Sequence, residues 1–198
     1  MNTKTVLHFI ISILAVRTAC AQGTVAFVNR DASLLVDAPI YDLAVGGVKL
    51  EGTGYWAQLF AGPEGTPASA LQPVGAAVHF GVGADAGYVG AGPDVSRSVP
   101  EVGWGQPARI QIRAWSANGG ATWESAYRFY LFDLTVHLGS SGTLTVLTAA
   151  NPSSLPAALL GLESFASGPL VAIDEPSMMV LGIAGMAACF FRRCALRE

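Results

Sequence analysis

The sequence predicts an all-β protein, an antiparallel β-sandwich of jelly-roll or immunoglobulin-like type, set between an N-terminal signal helix and a short C-terminal apolar helix. Three observations carry this reading. Glycine (23) and proline (11) make 34 of the 198 residues, above the ~12% of an average chain and suited to frequent turns rather than long helices. The segments between them are short and rich in β-branched and aromatic residues, the composition of strands. Finally, the chain is 52% hydrophobic with a mean hydropathy of +0.45, and its apolar excess sits at the two ends, where export and membrane segments are found.

The N-terminal element is residues 1–21. MNTK supplies one lysine, and the run 6–16 (VLHFIISILAV) is broken only by His8 and Ser12, too short to span a bilayer as a stable helix. Ala19 and Ala21 then fit the small-x-small pattern that signal peptidase accepts. Cleavage is expected after Ala21, leaving Gln22 as the first residue. A lipoprotein signal acylated at Cys20 is the rival, but it wants an aliphatic residue three places earlier, where Arg17 stands. Removal of residues 1–21 takes Cys20 away, and Cys189 and Cys194 lie in the tail. The domain between is thiol-free, so a hydrophobic core rather than disulfides must stabilise it, and roughly 150 residues suffice for one.

Strands are expected at 23–29 (GTVAFVN), 40–45, 55–61 (YWAQLFA), 74–80, 108–115 (ARIQIRAW), 127–138 (YRFYLFDLTVHL), 143–148 and 170–173. Turn residues separate them at Gly46-Gly47, Gly62-Pro63, Gly92-Pro93, Asn118-Gly119-Gly120 and Asn151-Pro152. No stretch before the tail keeps a helical period over ten residues, with a turn at 155–160 the one candidate. In ARIQIRAW the strand period of two sends Ile110, Ile112 and Ala114 to one face and Gln111, Arg113 and Trp115 to the other. The first face is core; the second is solvated or is a polar-aromatic surface open to a partner.

The C-terminal element is residues 174–198. Residues 178–191 (MMVLGIAGMAACFF) hold fourteen residues without a charge, followed by Arg192, Arg193 and Arg197. As a helix the run would rise about 21 Å, short of a ~30 Å hydrocarbon core unless flanking residues and snorkelling arginines extend it. The basic residues at its end, a positive stop, predict that this end stays cytoplasmic and the domain outside. A buried C-terminal helix is the alternative, though the run has no polar stripe.

Asp174-Glu175-Pro176-Ser177, an apolar stretch with Gly182 and Gly185, and then Arg192-Arg193 together resemble the PEP-CTERM sorting signal of Gram-negative bacteria. Glu175 and Pro176 match its motif, and Asp174 stands where the first proline is usual. The resemblance implies export by signal peptidase, transient anchoring in the inner membrane, and cleavage near the motif by an exosortase, in cells that make exopolysaccharide. The middle of the chain is similar to secreted, uncharacterised PEP-CTERM proteins of Verrucomicrobia, on the segments 21–30, 54–63, 71–75, 86–89, 110–115 and 161–165. That likeness implies no known activity.

Charge and motifs narrow the function. From residue 22 to 173 there are six cations and eleven acids, a balance that argues against nucleic acid as partner, since its binding needs clustered lysine and arginine. HExxH, CxxC, GxSxG and the GxxxxGK phosphate loop are missing from the sequence, so no catalytic residue, metal site or cofactor is assigned. His79 and His137 sit in strand-like runs and are expected to pack rather than ligate. Asp85 and Asp94 flank a loop that lacks the regular spacing of a calcium site. A pair of acids at glycosidase separation is open on residue types alone. Trp104, Trp115, Trp123, Tyr127 and Tyr130 lie close together in sequence; most are expected in the core, with Trp115 and Trp123 the exposed pair that would stack on a sugar. The expected role is that of an exported, non-enzymatic envelope or extracellular-matrix protein, structural or interacting, with a carbohydrate-binding module for exopolysaccharide as the alternative.

Overall fold

A computed structural model describes residues 22–90 and 95–169. Their elements are β1 (Gln22–Ala26), β2 (Arg30–Asp31), β3 (Val36–Asp37), β4 (Ile40–Asp42), β5 (Val48–Lys49), β6 (Tyr55–Pro63), β7 (Gln72–His79), β8 (Ser96–Gly103), β9 (Pro107–Ser116), helix α1 (Trp123–Tyr130), β10 (Leu138–Ser140), β11 (Leu144–Leu147) and β12 (Phe165–Ser167). The fold is β-rich, and its ladders are antiparallel except for β12, which runs parallel to β4. The strand expected at 170–173, the two helices expected at the termini and all three cysteines lie outside the described residues.

The largest sheet is built on β9. One edge of β9 pairs with β6 from Tyr55↔Ser116 to Pro63↔Ala108, and β6 pairs in turn with β7. Its other edge is shared by β10 and β11. Between those two strands Ser141 bridges the gap: its Oγ accepts from the Ile112 amide at 3.0 Å, and its carbonyl accepts from Gln111 Nε2 at 2.9 Å.

Alternation along β6 and β9 divides the sheet into two faces. Ala57, Leu59, Ala61, Ala108, Ile110, Ile112 and Ala114 are sealed from solvent in the main core, against Val25 and Phe27 near β1 and Val99 and Val102 of β8. β8 was not expected, because Pro100 interrupts its pattern. The structure places Pro100 and the positive-φ residue Glu101 in a bulge, where β8 runs from Ser98 to Gly103 while β1 runs only from Thr24 to Gln22; a bulge is where a strand tolerates proline.

The expected strand at 127–138 is corrected. Residues 123–130 form α1, and Leu131, Phe132 and Leu134 beyond it are exposed, Phe132 by 90%. The aromatic residues favour a strand, but Thr122 caps the helix by accepting the Ser125 amide at 3.2 Å, Glu124 lies in the first turn and Arg128 in the last. Cap and charge placement together outweigh a weak β-propensity.

Docking of α1 needs glycine. A Cβ on Gly119 would stand 2.8 Å from the Ala126 Cβ and 3.0 Å from Val136 Cγ1. With no side chain there, α1 lies over the second face of β9 and closes a small cluster of Trp115, Ala126 and Val136.

Candidate functional site

The second face of the large sheet carries the site. Register sets Trp56 beside Trp115, Gln58 beside Arg113 and Phe60 beside Gln111. Pro73 of β7 lies next to Phe60. Over this floor stand α1 on one side and the turn at Ala68–Ala70 on the other. The cleft between them has a volume of about 410 Å³, within the size range of small-ligand sites.

Arg113 is its centre. The guanidinium carbon lies 4.0 Å from the Phe60 ring centroid and 5.2 Å from that of Trp123. Arg113 Nε–H donates to Gln111 Oε1 at 2.9 Å, and Nη2–H donates to the Ala68 carbonyl at 2.6 Å. Burial pushes its pKa down, and the Glu124 carboxylate pushes the other way without reaching ion-pair distance. A guanidinium keeps its charge through such a shift, so the cleft holds a fixed cation between aromatic rings. Trp123 meets Trp115 edge-on at 6.1 Å and Phe60 at 6.3 Å, and Tyr127 is half exposed on the same helix.

Trp115 is therefore not an exposed ring. It is fully buried, and its Nε1–H donates to the Gly120 carbonyl at 2.9 Å. The period of two put it correctly on the face opposite Ile110 and Ile112; the unforeseen helix covers it. Trp123 is half-buried at the cleft wall. Among the other aromatic residues, Tyr130 packs against the Trp115 cluster, and Trp104 Nε1 is buried with no acceptor among the described residues. Phe60 and Arg113 were readable as neighbours of Trp115 on one face of paired strands, but only once the register of β6 on β9 is known.

A second cluster joins three segments. Asp42 is 2% exposed at the end of β4. Its Oδ2 accepts from the Tyr55 hydroxyl and from His137 Nδ1–H, the latter at 2.9 Å, and its Oδ1 accepts from the Ala44 amide at 2.8 Å. Burial pushes the Asp42 carboxyl up, but the bonds from Tyr55, His137 and Ala44 outweigh it and hold it below its ordinary value. Burial, with the hydrogen bond to Asp42 and its charge, pushes the Tyr55 hydroxyl up to about 12. His79 stacks on Trp56 with centroids 3.5 Å apart and donates from Nδ1 to the Tyr55 carbonyl at 2.9 Å. Both histidines are thus engaged in packing and hydrogen bonds.

Asp85 is paired with Arg30 at the surface, which places a cation where calcium would bind. Asp94 lies outside the described residues, and among those described no three acids, histidines or cysteines converge as a metal site. Gln22 opens β1 and is exposed. Ala19, Ala21, Asp174, Glu175, Pro176, Ser177, Arg192, Arg193 and Arg197 also lie outside the described residues. Among those described, no helix is long and apolar enough to cross a membrane. Comparison with protein-family models, with curated proteins and with solved structures finds no match.

Proposed function

We propose that the chain is an exported interaction protein of the cell envelope or extracellular matrix, and that it acts by binding a glycan in the cleft between α1 and the β6–β7 turn. Signal peptidase releases it at Ala21, the tail from Asp174 holds it briefly in the inner membrane, and an exosortase frees it to a matrix of exopolysaccharide. The N-terminal apolar run, the acid-proline motif and the terminal arginines support the export route. The arrangement of sheets is read as a β-sandwich, a scaffold that presents a rigid face to a partner.

The observation that carries the binding role is the pairing of ring faces with fixed donors in one open cleft. Trp123 and Tyr127 supply flat apolar surface, while Arg113, Gln72 and Ser69 supply polar groups. Sugars offer the same combination, an apolar ring face and a rim of hydroxyls. Rim and floor are held by the sheet and by Arg113's bond to Ala68, so little ordering cost attends binding.

The test is retention of the full chain, in mild detergent, on immobilised neutral and acidic polysaccharides. Retention on at least one is expected, with affinity reduced roughly tenfold by Trp123→Ala or Tyr127→Ala and thermal unfolding checked for each variant. A chain that unfolds normally and is retained on none of them contradicts the binding role.

A further inference from the structure

The chemistry of Arg113 narrows the ligand, on the premise that the cleft binds a glycan. An arginine carries five N–H donors. Nε–H and one Nη2–H of Arg113 are used by Gln111 and Ala68, and the other three meet no acceptor among the described residues. None of its nitrogens is sealed off without a partner, so the free edge of the guanidinium faces the solvent of the cleft.

No carboxylate among the described residues forms an ion pair with Arg113, and Arg128, also on the cleft, is exposed. Two cations thus stand against the single carboxylate of Glu124. The rings of Phe60 and Trp123 keep the guanidinium from swinging out to water. A planar fork held with its edge free is shaped for two parallel bonds to a carboxylate.

We propose that the cleft takes an acidic glycan, with the carboxylate of a uronate-type sugar received by Arg113 and the sugar ring lying against the aromatic wall. A peptide carboxylate could meet the same guanidinium, but the Trp123 and Tyr127 rings beside it add the flat apolar surface on which a sugar ring stacks. The negative balance of residues 22–173 opposes a polyanion at long range, but screening confines that field to about 8 Å at physiological salt, and the local cations decide contact.

The experiment is calorimetric titration of the full chain, at physiological salt, with galacturonate hexamer and with its methyl ester, which keeps the rings and removes the charge. The acid should bind roughly ten- to a hundredfold more tightly than the ester, and Arg113→Met should abolish that preference, with Arg113→Lys restoring part of it. The acid–ester comparison on the unaltered chain decides the matter even if an Arg113 variant fails to fold. Equal affinity for acid and ester overturns the acidic-sugar assignment and leaves glycan binding standing. Binding of neither hexamer, in a chain retained on neutral polysaccharide, also overturns it; no binding to any glycan removes the premise. Equal binding of poly-glutamate assigns the cleft to acidic peptide instead.

Discussion

Asp42 keeps its charge at 2% exposure because three donors converge on it. Its native pKa is below the unfolded one, so its contribution to stability is complete above about pH 4 and is lost as pH falls through the native value. Asp42→Asn should cost about 1–3 kcal/mol near neutrality by leaving a donor unmatched, and should flatten the acid side of a plot of urea midpoint against pH. Tyr55 has the opposite sign. Its hydroxyl, pushed up from 10.0 to about 12, stays protonated longer in the native state, so stability present below pH 10 is lost as pH rises toward 12. Tyr55→Phe should remove that alkaline slope; an unchanged slope would mean another group carries it.

At the scale of elements, α1 decides what the second face of β9 becomes. Without it, Trp115 and Arg113 would lie open; with it, one is buried and the other forms the floor of a cleft. Gly119→Ala should weaken this docking, since the added methyl meets Ala126 and Val136, with a cost of about 1–3 kcal/mol. Thr122→Ala should cost about 1 kcal/mol through the lost cap. Both are measured as shifts in denaturation midpoint.

The strands of the main sheet were legible because their alternation is regular: YWAQLFA and ARIQIRAW carry small and branched residues on one face in strict period. The helix was not, because its eight residues span little more than two turns and its aromatic composition points to a strand. Nor was β8, whose proline sits in a bulge that only its pairing with β1 explains. Trp123 was legible as a candidate for ligand contact, but Phe60 and Arg113 belong to the cleft only through pairing between residues some fifty positions apart, which one sequence does not reveal.

Over the whole molecule, a β-rich domain without cysteine lies between two apolar terminal segments to which the proposed export route is assigned. The cleft faces outward on a sheet whose other face is the main core, so the proposed binding and the folding draw on different sides of the same strands. Substitutions in the cleft rim, such as Arg128→Gln, should change glycan affinity with a midpoint shift within about 0.5 kcal/mol. The proposed export and release of the domain are checked by the intact mass of the protein recovered from each fraction of its native cells. The expected result is a surface or medium form that begins at Gln22 and ends between Asp174 and Ser177. A cytoplasmic form running from Met1 to Glu198, with none outside, would contradict it.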